Sequence, residues 1–340
     1  MIACTLFDSN YLDKGLVMID SLLKVAPNSK IYILPTDDLC NKVLSKENKQ
    51  NIILVNFNEL MVFEDLFRIR EERPFIEFYY TLTSHLIDFV LKRYNEPICT
   101  YLDADMFFYD NPEVVIEEMG NKDVQIISHG FSQKRVDRIK KEESGEFCVE
   151  FNTFKNTEKA LELLSWWKER CREYCGYENG NFGDQKYLDV WKNNENVSIV
   201  ANPGAGIAPW NINQYIFHSQ DGERIFVKKR CGSLAFPIIF YHFENIQYID
   251  ENTVDINVYK MFLFNDNKAI KLLYTDYLKR ISRIKRYLQK EYGLDIMIRR
   301  HPSGGGRKNK DYHINISLLP LKIRNRFIKL LNRKKDIVHF

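Results

Sequence analysis

What most constrains this chain is the alternation, through its first half, between short apolar runs and stretches with helical spacing. Ile2–Phe7 reads as a strand, followed by a helix over Asp13–Val25 with Leu16, Ile19, Leu22 and Leu23 toward one side. Lys30–Leu34 and Ile52–Phe57 read as further strands with a polar helical stretch between them. Phe75–Arg93 reads as a long aromatic-rich helix, Pro97–Leu102 as a buried strand ending in Asp103, and Asp123–Ser128 as another strand. Such alternation specifies an α/β fold with a mostly parallel sheet flanked by helices, because parallel neighbours need a crossover between them. In these sheets ligands bind beyond the carboxyl ends of the strands, so residues that follow strands are the most informative.

After Glu146 the pattern changes. Phe147–Phe154 reads as extended and Glu158–Tyr174 as a helix, with Leu161, Leu164, Trp167, Cys171 and Tyr174 at helical spacing. Asn202-Pro203-Gly204-Ala205-Gly206 is a loop, and short strands are expected near Tyr215–His218, Arg224–Lys228 and Phe236–Tyr241. Two amphipathic helices are expected in the tail, over Lys271–Tyr292 and after Pro320, joined by a flexible linker at 301–307. This divides the 340 residues into a body over 1–265 and a basic helical region over 266–340. Charge follows the same division. From Lys268 onward there are 20 Lys and Arg against 5 Asp and Glu, which leaves 29 against 41 in the rest. An acidic body with a basic tail suggests a tail that meets something anionic.

Composition excludes several classes. With 45% hydrophobic residues the chain is not disordered, and no run approaches the ~18 apolar residues of a membrane span. The N-terminus has no basic segment before its apolar run, so no signal peptide is read there. The seven cysteines are scattered without metal-finger spacing, as expected of reduced thiols in the cytoplasm.

Three places carry candidate chemistry. In Tyr101-Leu102-Asp103-Ala104-Asp105 two carboxylates end an apolar strand. On a strand, residues two apart point the same way, so Asp103 and Asp105 are expected to converge on a hard cation such as Mg²⁺ or Mn²⁺. The competing reading is a strand-end turn, where Asp is ordinarily favoured. In Gly183-Asp184-Gln185 an acid stands at an expected helix start, either as a first-turn residue favoured by the helix dipole or as a carboxylate facing a reacting sugar carbon. In Phe240-Tyr241-His242-Phe243 a histidine ends an apolar strand, either as a hydrogen-bonded core residue or as a third ligand beside two carboxylates.

Together these segments resemble the nucleotide-diphospho-sugar glycosyltransferases of the GT-A type, nearest to glycosyltransferase family 8 and related bacterial polysaccharide enzymes. The likeness runs over roughly residues 1–245. It implies a GT-A-like, Rossmann-like catalytic domain. Asp8, Asn10 and Tyr11 would then hold the nucleotide base and ribose. Asp103, Asp105 and His242 would bind Mn²⁺ or Mg²⁺, with Asp103 also toward the donor. Asn152, in Glu150-Phe151-Asn152-Thr153-Phe154, would wall the sugar site, and Asp184 and Gln185 would stand by the transferred sugar. Asn202–Gly204 through Ala208–Asn211, with Trp210 toward an acceptor ring, matches an acceptor-side loop. One departure is plain. The family's Gly and Lys-Pro-Trp after the histidine are replaced by Glu244-Asn245-Ile246-Gln247-Tyr248, which leaves Lys228, Lys229 or Arg230 as substitutes for the phosphate-contacting lysine.

The resemblance implies a metal-dependent transfer of a sugar, with retention, from a nucleotide-diphosphate sugar to a glycan or lipid-linked acceptor in bacterial surface polysaccharide or lipopolysaccharide assembly. The alternatives are a sugar nucleotidyltransferase, whose N-terminal glycine-rich loop is missing, and a non-catalytic glycan- or lipid-binding relative. For the basic tail, packing or attachment to the anionic inner face of the cytoplasmic membrane is expected rather than nucleic acid, since no recognition motif accompanies the charge.

Overall fold

The computed structural model describes residues 1–296 and 337–339, leaving aside 48, 179, 251, 252 and 257–267. The expected linker at 301–307 and the helix after Pro320 lie outside the described residues. In chain order the elements are β1 (Ile2–Phe7), α1 (Leu12–Val25), β2 (Lys30–Pro35), α2 (Asp38–Glu47), β3 (Ile52–Leu54), α3 (Phe57–Phe63), α4 (Phe67–Glu72), α5 (Phe75–Arg93) and β4 (Ile98–Leu102). There follow β5 (Met106–Phe108), α6 (Glu113–Glu117), β6 (Val124–Ser128), α7 (Arg135–Ser144), β7 (Phe147–Lys155), α8 (Glu158–Glu173) and β8 (Val197–Ile199). The last are β9 (Tyr215–Asp221), β10 (Arg224–Lys229), β11 (Ala235–Pro237), β12 (Phe240–His242), β13 (Gln247–Asp250), β14 (Thr253–Asp255), α9 (Lys268–Tyr292) and β15 (Ile337–His339).

A seven-stranded sheet in the order β3-β2-β1-β4-β7-β6-β8 forms the centre. Its pairs are parallel except where β7 runs antiparallel to both β4 and β6, so the sheet is mixed but mostly parallel. Helices cover both faces, which is why the inner strands read as unbroken apolar runs rather than alternating ones. On one face Leu82, Leu86, Phe89 and Val90 of α5 meet Trp167 of α8 and Trp191. On the other, Leu16, Ile19 and Leu22 of α1 pack with Val43 and Leu44 of α2. The approach of α1 to β1 requires Gly15, because a Cβ there would sit 2.6 Å from the Phe7 ring.

The tail helix α9 is built into the body. Its Tyr274, Tyr277, Leu278 and Ile281 join Tyr241 and Phe243 in a third core cluster, with the Phe243 and Tyr277 rings stacked at 3.7 Å. The opposite face carries exposed Lys271, Lys279, Arg283, Arg286 and Lys290. Among the described residues no helix is long and apolar enough to cross a membrane, and all seven cysteines are free thiols.

Three local expectations are corrected. The strand expected over Ile52–Phe57 stops at Leu54, because the Asn56 side chain accepts from the Glu59 N–H and starts α3. The strand expected over Phe236–Tyr241 is two pieces, β11 and β12, pairing with different partners. Asp103 and Asp105 are not on a strand. They occupy a turn between β4 and β5, so strand alternation is not what relates them.

Candidate active site

The site lies beyond the carboxyl ends of β1, β4 and β6, where an open α/β sheet presents its loops. Two registers assemble it. Because β7 is antiparallel to β4, Leu102 pairs with Phe151, and the Asp103 N–H donates to the Glu150 carbonyl at 3.2 Å. Because β12 is antiparallel to β5, His242 pairs with Met106, and the Phe243 N–H donates to the Asp105 carbonyl at 2.8 Å. The acid turn between β4 and β5 is therefore held against Glu150 by one strand pair and against His242 by the other.

The side chains converge accordingly. His242 Nε2 is 2.9 Å from Asp105 Oδ1 and 3.8 Å from Asp103 Oδ2, while its Nδ1 is 2.6 Å from Glu150 Oε2. The His242 side chain is buried and that of Glu150 wholly so, whereas Asp103 keeps 29% of its side chain open to solvent. Burial alone would lower the His242 pKa, but the neighbouring Asp105 charge and hydrogen bond raise it well above the ordinary value. Each ring nitrogen thus faces a carboxylate oxygen, and Nε2 points where a cation would bind. Burial by itself would raise Asp105, yet the His242 charge and hydrogen bond, with Lys14 adding, hold it down to about 2. Burial pushes Asp103 up to about 7, with His242 opposing and the charges of Asp105 and Glu150 adding.

Asp184 is almost wholly buried, just before a short 3₁₀ turn over Gln185–Trp191, and its carbonyl accepts from Trp167 Nε1 at 2.9 Å. Burial, then the charge of Asp103, pushes it up to about 7. Four carboxylates thus crowd a region in which His242 and Lys14 supply opposing positive charge. Among the described residues, buried Glu150 Oε1 has no hydrogen-bond partner. An acid-rich bowl of oxygen and imidazole donors with unspent acceptor capacity fits a hard divalent cation.

The remaining expected residues are placed as follows. Asp8 follows β1 and accepts the Asn10 N–H at 3.0 Å and the Asn10 side-chain amide at 3.1 Å. Tyr11 is half-buried, with Lys14 Nζ 4.2 Å from its ring centroid. Gln185 Nε2 donates to the Ser144 carbonyl at 2.8 Å. Asn152 is fully buried, its amide committed to the Ile127 N–H and the Cys148 carbonyl. Trp210 donates from Nε1 to the His129 carbonyl at 2.8 Å and sets its ring edge-on to His242 at 5.3 Å. Lys229 and Arg230 are exposed and Lys228 half-buried, on or just after β10.

Three residues escaped the sequence reading as site residues. Glu150 was legible as a charge within an apolar run, Phe147-Cys148-Val149 before it and Phe151 after it, an expensive placement that asks for a partner. Lys14 lies three residues after Tyr11, a spacing that stacks the two on one helix face, and it is 1% exposed. His129, one residue past β6, packs on Phe131 and Trp210, and burial lowers its pKa to about 4. No local pattern marked it.

No protein-family model matches the chain. By sequence it is similar to the uncharacterized protein YfnF of Bacillus subtilis (strain 168), 32% identical over 260 residues that cover 74% of this chain and 83% of that one. YfnD of the same organism, also uncharacterized, is 25% identical over 285 residues, covering 82% of this chain and 88% of the other. Among solved structures, mouse xyloside xylosyltransferase 1 in its apo form is similar with a TM-score of 0.44 at 14% identity, covering 71% of this chain and 97% of that one. The galactosyltransferase LgtC, in complex with donor and acceptor sugar analogs, is similar with a TM-score of 0.46 at 13% identity, covering 83% and 96%. Likenesses this distant carry no function by themselves.

Proposed function

The chain belongs to the family of Bacillus subtilis YfnF, and from its site we propose that it is a metal-dependent glycosyltransferase that moves a sugar from a nucleoside-diphosphate sugar to a glycan or lipid-linked acceptor. The observation that carries this reading is the convergence of Asp103, Asp105 and His242 Nε2, from two separate strand pairs, beside the buried acid Asp184. Mn²⁺ or Mg²⁺ held by those three groups would supply the Lewis acid that neutralises a leaving diphosphate.

The protein's own residues do the rest. Glu150 accepts from His242 Nδ1, which fixes the ring and directs Nε2 toward the acid turn, the way a carboxylate commonly orients a metal-binding histidine. Asp8, Asn10 and Tyr11, at the end of β1, form the nucleoside side. Lys14, buried against Tyr11 and close enough to lower Asp105, is the cation placed for the diphosphate where the family's usual lysine is missing. Asp184 supplies negative charge opposite the anomeric carbon as it becomes oxocarbenium-like, and burial strengthens that interaction. Retention of configuration is what the resemblance to family 8 implies; an inverting enzyme would instead need a carboxylate as general base on the acceptor hydroxyl. The body over 1–265 is the catalytic domain. The exposed basic face of α9 suits attachment to an anionic membrane that presents a lipid-linked acceptor, as in bacterial surface polysaccharide assembly.

A thermal-shift panel of nucleoside diphosphates and nucleotide sugars, each with and without Mn²⁺, tests the reading. A ligand at ~100 times its dissociation constant adds about 2.7 kcal/mol to the native state. Stabilisation by one nucleotide class that requires Mn²⁺ is expected. Equal shifts with and without metal would overturn the metal-dependent reading.

A further inference from the structure

The other side of the His242 ring holds a second set of donors. Cys148 and Glu150 stand two apart on β7, in the stretch where its register with β6 shifts, and both lie beside the His242 ring. One ligand atom from each of Cys148, Glu150 and His242 lies within 4.8 Å of the other two, and all three residues are buried. Among the described residues Glu150 Oε1 has no hydrogen-bond partner there, and a buried acceptor left unsatisfied is costly enough to ask what it faces.

We propose that Cys148 Sγ, Glu150 and His242 Nδ1 form a second metal site, selective for a thiophilic divalent cation such as Zn²⁺ and distinct from the hard-cation site on the Nε2 side of the same ring. Thiolate, imidazole and carboxylate are the three zinc donors of proteins, and three of them leave the fourth position for water. The thiolate favours Zn²⁺ over Mg²⁺ and Mn²⁺. Donors around tetrahedral zinc sit about 3–4 Å apart, so small side-chain rotations close this set. On binding, the thiol proton and the Nδ1 proton pass to solvent. Nε2–H then donates to Asp105, already 2.9 Å away, as the orienting carboxylate. A neutral imidazole carries one proton, so the two sites exclude each other. A hard cation on Nε2 keeps the proton on Nδ1 toward Glu150, and zinc on Nδ1 keeps it on Nε2 toward Asp105. That exclusion rests on the function proposed above; the zinc site itself does not.

The test titrates the metal-free full chain with Zn²⁺ alone and with Co²⁺ alone. The expected result is one equivalent of Zn²⁺ bound, and a cobalt–thiolate charge-transfer band that disappears in Cys148→Ala and in the closer mimic Cys148→Ser. Both variants should lose roughly 10–100-fold or more in zinc affinity, while Asp103→Ala keeps the band. Bound Zn²⁺ should raise the apparent Mn²⁺ dissociation constant at least tenfold. A wild type with no cobalt–thiolate band, unchanged zinc affinity in Cys148→Ala, or loss of the band in Asp103→Ala would each overturn the proposal. Failure of the transferase reading is separable: nucleotide sugars would give no shift while the cobalt band stayed.

Discussion

Two buried charge clusters, one among the helices and one beyond the strand ends, are built to opposite rules. Between α3, α5 and α8, Lys168 reaches Glu64 at 2.6 Å and Asp88 at 2.5 Å, and Lys92 adds a second cation on Asp88 at 2.8 Å. Burial pushes Glu64 up to about 7 against the pull of Lys168. Asp88, for which burial alone would do the same, is drawn below its ordinary value by Lys168 and Lys92. Next to them His85 is sealed, and burial, with the charge of Lys168 adding, lowers its pKa well below the ordinary value. In the bowl beyond the strand ends, Asp103, Asp105, Glu150 and Asp184 face His242 and Lys14, and Asp103 opens to solvent. The first cluster completes its own charge balance within the fold. The second sets four carboxylates against His242 and Lys14, an excess of negative charge that a bound cation would offset, and perturbed acids that reach solvent are what a functional site looks like. Burial alone does not separate the two; compensation and access do.

The contrast is broken most directly by exchanging one residue from each side. Asp105→Asn should lower transfer by about 10²–10³-fold; because Asp105 is ion-paired with buried His242, the metal-free fold should also lose on the order of 2 kcal/mol. Lys168→Met should lose stability alone. Stranding two buried carboxylates costs about 3–5 kcal/mol, seen as a lower midpoint in urea, while turnover per folded molecule is kept. A normal turnover in Asp105→Asn would place the metal elsewhere.

Asp184 sharpens the comparison through pH. Folded, it titrates near 7, against about 4 in the unfolded chain. Above pH 7 it is charged in both states, and its ionisation destabilises the native one. Between pH 7 and 4 only the folded chain holds the proton, so that cost fades as pH falls. In metal-free protein, Asp184→Asn should therefore stabilise by on the order of 2 kcal/mol at pH 8, with the gain gone by pH 4. A gain independent of pH would mean the effect is packing. The smallest expected change is at Glu150. Glu150→Gln keeps a hydrogen-bond acceptor for His242 but loses the charge that orients it, and should weaken Mn²⁺ binding by roughly tenfold. Calorimetric titration reads this directly, and an unchanged affinity would make Glu150 a spectator of that site.

Much of the fold was legible because its signals are local. The apolar runs at 2–7, 30–34 and 97–102, and the helical spacing from Phe75 to Arg93 and from Glu158 to Glu173, are properties of neighbours in sequence. Errors fell where a single side chain decided the outcome, as when Asn56 ended the third strand by capping α3. They also fell where pairing was long-range. Nothing near residues 147–155 says that this strand runs antiparallel between two parallel-facing neighbours, and nothing near 240–242 says that it pairs with 106–108.

The same division holds at the site. Residue types and their order could be read off the chain directly: Asp8 after a first strand, Asp103 and Asp105 after a central one, Asp184 before a short turn, His242 at the end of a late strand. Tertiary structure alone decided their relations. It put the two acids on a turn rather than a strand, brought His242 to Asp105 across 137 positions, and added Glu150 behind the ring across 92. It also committed the Asn152 amide to backbone groups. Local spacing fixes which way a side chain leaves its own element. Which charges meet, and which are left uncompensated, depends on strand pairings whose registers are set by burying apolar surface over the whole sheet.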